Sequence, residues 1–221
     1  LHDALPISDR WLSSLAGQGF GGDRVVPVAL HVDYWDYIGW KDPYAKPQFT
    51  ARQSRHKAIG NTRIIYTPQY VISGDEAREW RSPEQLRRQI QSFSTQKPSV
   101  DIQLKVQPGS SDELELSVQT RWSSPALQSG RAWVLVYEDG LTQAIHAGEN
   151  QGRTLKHDAV VRVLQGPFPV SPGNPVALGR VKLDKAWVVD QLGLGVFIEN
   201  ESGTEVAQAL NAPHALQSFR R

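Results

Sequence analysis

The pattern of hydrophobic and polar positions changes from helical to alternating close to Pro98. Beyond it, apolar residues occupy every second position in Val100–Val106 and again in Leu114–Thr120, with a Pro-Gly-Ser-Ser turn between the two runs. This alternation predicts a hairpin with one solvated face. Further strands are predicted at Ala132–Tyr137, Leu141–Ala147, Val160–Leu164, Val176–Leu183, Leu194–Asn200 and Glu205–Leu210. Many short strands at regular spacing favour an all-β, sandwich-like domain over residues 98–221, with a short C-terminal tail.

The first 97 residues combine helical spacing with apolar runs that are typical of strands. Helices are predicted from Ser8 to Gly17, over Pro47–Ile59 and from Ser82 to Pro98. Ser8 and Ser82 are the expected N-caps, and Pro83 suits the first helical position. Buried strands are predicted at Val25–Trp35 and Gln69–Ser73, because β-branched and aromatic residues are abundant there. Strands that alternate with helices predict an α/β domain over residues 1–97.

Two segments resemble a known family. One is the string HVDYWDYIGWKDP from His31 to Pro43, and the other is Tyr66-Thr67-Pro68-Gln69, followed by Val71 and Gly74. With the weaker match GRTLKHD at residues 152–158, they resemble an uncharacterised, domain-of-unknown-function family of bacterial secreted thioredoxin-like proteins. The resemblance runs from about Asp9 to Pro213. It implies a thioredoxin-like fold for the first domain and a periplasmic or secreted location.

The family pattern places a strand and a Cys-x-x-Cys motif just before the helix that Asp9, Arg10 and Leu12 match here. Its cysteines would fall near His2 and Leu5, but the chain contains neither cysteine nor methionine. We therefore expect residues 1–8 to be foreign to the family and the native first strand to be missing. The resemblance implies that a full-length parent is a thiol–disulfide oxidoreductase, and this chain is expected to be inactive. The alternative is a non-catalytic module that binds a peptide or a partner protein.

Composition narrows the classes of partner. The chain has 24 basic and 23 acidic side chains, a formal net charge of +1, which gives no electrostatic reason to expect nucleic acid. No apolar run approaches the ~20 residues that a membrane-spanning helix needs. No phosphate loop, dinucleotide fingerprint or zinc-protease helix is present in the sequence, so no cofactor and no metal are expected. The expected partner is an extended peptide or a protein thiol substrate.

The Thr67–Pro68 bond precedes a predicted strand, where thioredoxin-like proteins keep a cis-proline beside the substrate. A cis X–Pro bond turns the backbone so that neighbouring N–H and C=O groups face an extended segment. The resemblance implies this geometry here and a groove around it. The candidate groove residues are His31, Asp33, Trp35, Asp36, Trp40, Asp42, Tyr66, Thr67, Pro68 and Gln69.

On a strand, His31 and Asp33 would share a face. Such a pair could orient the imidazole for proton transfer, or hold a metal with Asp36 as a third ligand. A buried histidine satisfied by a carboxylate is the favoured interpretation, since buried polar groups are normally paired. The loop with Asp42 and Tyr44 either frames a groove or only packs as a lid. A second polar group, interpreted as solvated loop charges, comprises His146, Glu149, Arg153, His157 and Asp158.

Overall fold

The computed structural model of the protein describes residues 4–22, 24–38, 41–78, 82–110, 112–123, 127–146, 151–213 and 215–219. Its α-helices are α1 (Ala4–Ser14), α2 (Pro47–Ala58) and α3 (Pro83–Ser94). Its strands are β1 (Val71–Ile72), β2 (Asp75–Glu76), β3 (Val100–Pro108), β4 (Glu113–Trp122), β5 (Gly130–Glu138), β6 (Leu141–Ala144), β7 (Thr154–His157), β8 (Val160–Val170), β9 (Val176–Lys182), β10 (Leu192–Glu199) and β11 (Val206–Ala212). The described residues therefore form a mostly β protein with few helices.

Two antiparallel sheets pack face to face. One has the strand order β3-β4-β9, and the other has the order β11-β10-β5-β8. The three-stranded sheet contributes to the shared core Val100, Ile102, Leu114, Leu116, Val118, Leu178 and Val181. The four-stranded sheet contributes Ala132, Val134, Val136, Leu194, Val196 and Ile198. The alternation seen after Pro98 has this cause, because every second side chain enters one core.

The four-stranded sheet is covered on its other face by the N-terminal part of the chain. Every residue of β5 from Ala132 to Glu138 is buried, as expected for a strand with both faces covered. Trp133, Leu135 and Tyr137 share one buried cluster with Phe49 of α2. The protein thus has three layers, with helices on one sheet and that sheet on the other.

The predicted strand at Val25–Trp35 is wrong. The segment is extended but forms a single bridge, at Ala29. The N–H of Ala29 donates to the carbonyl of Ala159 at 2.8 Å, and the carbonyl of Ala29 accepts from the N–H of Val161 at 3.0 Å. Val26 lies against Gly195 of β10, and Leu30 packs against the buried cluster of Trp133 and its neighbours. Val25 instead packs against the cluster of α1 and α3, and Val28 is exposed. Pro27 has no N–H, which limits the ladder that this segment can form.

The first helix starts earlier than predicted, at Ala4, so Ser8 lies inside α1 and is not its N-cap. Pro6 falls in the first turn, where backbone N–H groups have no intrahelical acceptor, and therefore removes no hydrogen bond. The helix predicted over Pro47–Ile59 is confirmed as α2. The Ser82 N-cap is also confirmed, since its hydroxyl accepts from Gln85 N at 3.4 Å.

The strand predicted at Gln69–Ser73 shortens to β1, which pairs only with β2. Within the described part of residues 1–97, β1 and β2 are the only strands, so a thioredoxin-like sheet and a domain boundary near residue 97 stay predictions. The predicted strands of the second half are confirmed, with ends that differ by zero to six residues, and β7 was missed. No described helix combines the length and apolar character required to cross a membrane.

Candidate functional site

The Thr67–Pro68 peptide bond is cis, as the resemblance implied. Two side chains hold the surrounding backbone in place. Gln53 of α2 donates to the carbonyl of Tyr66 at 2.9 Å, and Trp35 Nε1 donates to the hydroxyl of Thr67 at 2.8 Å. The structure therefore brings three of the predicted groove residues, Trp35, Tyr66 and Thr67, to one place beside α2.

Gln69 faces a polar network behind this corner. Its amide nitrogen donates to Thr62 Oγ1 at 2.8 Å and to Glu76 Oε1 at 2.9 Å, while Gln53 Nε2 lies 2.7 Å from Gln69 Oε1. Thr62 is itself buried and donates to Glu76. These bonds connect α2 to the β1–β2 hairpin, so Gln69 holds the corner in position and is not directed at solvent.

An aromatic surface, which we define as Tyr34, Trp35 and Tyr37, lies beside the cis bond. The ring centroids of Tyr34 and Trp35 are 5.5 Å apart, and those of Trp35 and Tyr37 are 6.2 Å apart in a stacked arrangement. Trp35 is 40% exposed and Tyr37 is 78% exposed. Ile64, shortly before the cis bond, is 62% exposed. Large apolar groups this exposed, in one region of the chain, are typical of an interaction surface.

The predicted pairing of His31 with Asp33 is wrong. His31 Nδ1 lies 2.6 Å from Asp42 Oδ2, whereas Asp33 Oδ1 accepts from the Thr50 hydroxyl at 2.5 Å. The prediction assumed a strand, and the chain instead turns after Asp33 and returns at Asp42, eleven residues after His31. Asp36 supports the loop by accepting from the backbone N–H of Asp42 at 3.3 Å. The favoured interpretation, a histidine satisfied by a carboxylate, agrees with this contact, although the partner is Asp42. The same interpretation placed the nearby aromatic residues in the core, and Trp35 is instead 40% exposed.

His157 of β7 joins His31 from the other half of the chain. The two ring centroids are 5.2 Å apart and nearly perpendicular, and the ring of Tyr44 lies 5.6 Å from His31 and 5.9 Å from His157. His157 Nδ1 is 3.0 Å from Asp9 Oδ2 of α1, without the alignment of a hydrogen bond. This histidine pair, His31 with His157, thus links α1 and the loop at residue 42 to β7, which pairs with β6 in a separate two-stranded sheet. Sequence reasoning missed it, since it placed His157 among solvated loop charges.

Neither Trp40 nor Glu149 can be placed at a site, because both lie outside the described residues. In the part of the chain that the structure describes, no group of three or more His, Asp and Glu side chains is arranged to hold a metal ion. Asp158, predicted to belong with His157, turns away and accepts from Gly140 N at 2.8 Å.

Acid sensitivity of the histidine pair is a testable consequence. Burial alone would raise the pKa of Asp42, but the hydrogen bond and charge of His31, the backbone of Tyr44 and the charge of His157 together hold it below its ordinary 3.8. A lowered carboxyl pKa adds stability above the unfolded value, and this stability is lost as the pH falls through the folded value. We expect Asp42→Asn to lower the free energy of unfolding at neutral pH by about 1.5–3 kcal/mol.

Urea unfolding at several pH values checks this. The loss caused by Asp42→Asn should shrink when the pH falls below about 3.8, where the carboxyl of the unfolded chain is protonated. Asp101→Asn, on an exposed position of β3, is the matched control and should change little. A loss from Asp42→Asn that is the same at neutral and strongly acid pH would contradict the charge-based account.

The described residues define a class: a β-sandwich with a helical layer that presents a cis-proline corner and an aromatic surface. The chain belongs to DUF1223, a family of proteins of unknown function, whose model matches residues 3–199. The matched range includes residues 3–8, which we expected to be foreign to the family, so the match does not support that expectation.

Two solved structures are similar to the chain. A structural-genomics crystal structure of a protein from Agrobacterium tumefaciens has 21% sequence identity and a TM-score of 0.62, covering 94% of this chain and 86% of that one, which shows the fold. A domain of the outer membrane lipoprotein Omp28 from Porphyromonas gingivalis has 11% identity and a TM-score of 0.38, covering 53% of this chain and 88% of that one. Comparison with curated proteins found no significant match.

Proposed function

We propose that this chain binds an extended peptide segment bearing an aromatic or large aliphatic side chain, at the aromatic surface beside Pro68. The observation that carries the proposal is the state of Trp35. Its ring is 40% exposed, yet its indole N–H is held by the hydroxyl of Thr67 on the cis bond. A flat apolar ring that is fixed and exposed needs little further ordering when a ligand covers it.

The neighbouring residues suit this role. Trp and Tyr are enriched among residues that dominate binding energy, because they bury a large area for little lost conformational freedom. Tyr37 extends the platform outward, and the backbone around the cis bond is held by Gln53 of α2. The implied thioredoxin-like relationship adds that the cis-proline of such folds faces an extended substrate.

Thiol–disulfide exchange, the other sequence-based alternative, requires two thiols, and the 221 residues contain none. Binding without redox chemistry is therefore the activity that we propose for this chain. A periplasmic or secreted location remains part of the proposal, and it rests on the family resemblance.

Capped, fluorescein-labelled hexapeptides with a central Phe, Trp, Leu or Ser provide the test, with fluorescence anisotropy as the readout. We expect peptides with a central aromatic residue to bind, and Trp35→Ala to weaken that binding at least about tenfold, as for a central interface residue. Tyr37→Ala should weaken it less, because Tyr37 is the more exposed of the two rings.

The matched control is Val188→Ala, which removes an exposed apolar side chain elsewhere on the surface. It should leave peptide affinity unchanged. The proposal fails if no member of the peptide set binds, if the central Ser peptide binds as well as the central Phe peptide, or if Trp35→Ala and Val188→Ala have equal effects. Circular dichroism of both variants establishes that the fold is retained.

A further inference from the structure

A second region, separate from the aromatic surface, gathers basic side chains where the last turn of α2 meets the four-stranded sheet. Arg55 and His56 come from α2, and Arg131 comes from β5, two residues before Trp133 on the sheet face that α2 covers. Gly203, in the turn between β10 and β11, lies between the two guanidinium groups. A Cβ at Gly203 would lie 2.5 Å from Arg131 Nη2 and 2.7 Å from Arg55 Nη2. The two nitrogens are therefore within about 5 Å of each other.

These groups lack acceptors. Nε and Nη2 of Arg131 are both buried without a hydrogen-bond partner, and so is Nδ1 of His56. Burying a donor without an acceptor costs free energy, and burying part of an unpaired cation costs more. Because native proteins satisfy nearly all such groups, an unsatisfied set in one place calls for a water or an ion.

No described carboxylate forms an ion pair with Arg55 or Arg131. Glu199, the buried acid that pairs in register with Arg131, is already used. Its Oε1 accepts from Arg52 at 2.5 Å and its Oε2 accepts from Trp133 Nε1 at 2.8 Å. Burial, followed by the charges of Arg52 and Arg55, lowers the pKa of His56, while Glu199 acts in the opposite direction. Arg55 and Arg131 are therefore left without an ion-pair partner among the described residues, although Glu201 and Glu205 lie in the same turn as Gly203.

Basic residues in the last turn of a helix interact favourably with the helix dipole. This interaction explains why Arg55 and His56 are placed there. It does not account for Arg131, which belongs to a strand. We propose that the guanidinium groups of Arg131 and Arg55, which meet beside Gly203, bind a small oxyanion: a phosphate, sulfate or carboxylate group. The guanidinium fork matches two oxygens of such a group, and the neighbouring Arg55 supplies a second positive charge. The proposal is independent of peptide binding at the aromatic surface.

Gly203 is well suited to its place. Its φ of +77° is a conformation that glycine adopts without strain, and a Cβ there would collide with the guanidinium groups of both arginines. The absence of a side chain lets the guanidinium groups of Arg131 and Arg55 approach the backbone of this turn. Asn200, whose carbonyl accepts from Gly203 N at 2.9 Å, holds the turn in this form.

The test titrates the full chain with inorganic phosphate, sulfate or acetate in the millimolar range, with chloride at matched ionic strength as reference. Isothermal calorimetry and thermal unfolding are the readouts. We expect saturable binding and a rise in Tm with at least one of the oxyanions, and the three arms identify the preferred group. Arg131→Gln should weaken that binding at least about tenfold, and Arg55→Gln should weaken it as well.

Arg121→Gln is the matched control, because Arg121 is exposed on β4 and the variant should bind like the parent. In chloride alone, Arg131→Gln should be at least as stable as the parent, since it removes an unpaired buried cation. In the presence of the oxyanion that binds, the parent should be the more stable of the two. If Arg131→Gln does not fold, the parent titration and Arg55→Gln decide the question. Equal effects of chloride and oxyanions, or full binding by the arginine variants, would overturn the proposal.

Discussion

Glu199→Gln is expected to lower the free energy of unfolding by about 3–5 kcal/mol, because it leaves the buried Arg52 cation without its counter-charge. Glu199 is 3% exposed, and its two oxygens accept from Arg52 and from the Trp133 indole at 2.5 and 2.8 Å. The guanidinium of Arg52 lies over the neighbouring rings of Trp133 and Phe197, with centroid distances of 4.8 and 4.9 Å. Its side chain is only 12% exposed, so water replaces little of the lost partner.

Urea unfolding of the parent and of two matched variants measures this effect. Glu115→Gln makes the same chemical change at the surface, where Glu115 Oε1 is 2.8 Å from Arg180 Nη2 and both side chains are well exposed. An exposed pair contributes about 0–1 kcal/mol, so this control should be nearly neutral. If Glu199→Gln and Glu115→Gln lose equal stability, the buried ion pair of Arg52 and Glu199 does not stabilise the contact between α2 and β10 as expected.

The strands of the sandwich could be predicted closely because each face of a strand meets either the core or water along its whole length. In β3 and β4 the apolar positions alternate, since one face enters the core and the other meets water. β5 reads as a continuous apolar run, since both of its faces are covered. The short β7 was missed, as its four residues carry only two buried side chains and no clear alternating run.

The N-terminal part could not be predicted as well, because its apolar residues meet partners that are distant in sequence. Val26 and Leu30 are apolar because they contact the four-stranded sheet, and composition does not distinguish this packing from membership of a sheet. The cis bond at Pro68 was predicted from the family resemblance and not from the local sequence pattern. The partner of His31 depended on a loop closing over eleven residues, and the approach of His157 depended on the fold of the whole chain. No local signal specifies such contacts.

The helical layer and the sandwich are expected to unfold as one unit, and Phe49→Ala tests this. Phe49 is 1% exposed and lies in a buried cluster with Trp133, Leu135 and Tyr137, so α2 covers the outer face of β5 with this side chain. Removing a fully buried phenyl ring costs about 3–5 kcal/mol through lost transfer free energy and the cavity that remains. The described part of residues 1–97 has only the two-residue strands β1 and β2, so the helical layer has little sheet of its own that could stabilise it without the sandwich.

We therefore expect Phe49→Ala to shift one cooperative transition to lower urea concentration, followed in parallel by tryptophan fluorescence and far-ultraviolet circular dichroism. Phe93→Ala, the same change on the half-buried face of α3, should cause a smaller shift. Two separate transitions in Phe49→Ala, with the later one at the parent's position, would instead favour two independently stable domains divided near residue 97. A single shifted transition would mean that the outer face of β5 needs its helical cover, because uncovering Trp133, Leu135 and Tyr137 exposes a large apolar area to water.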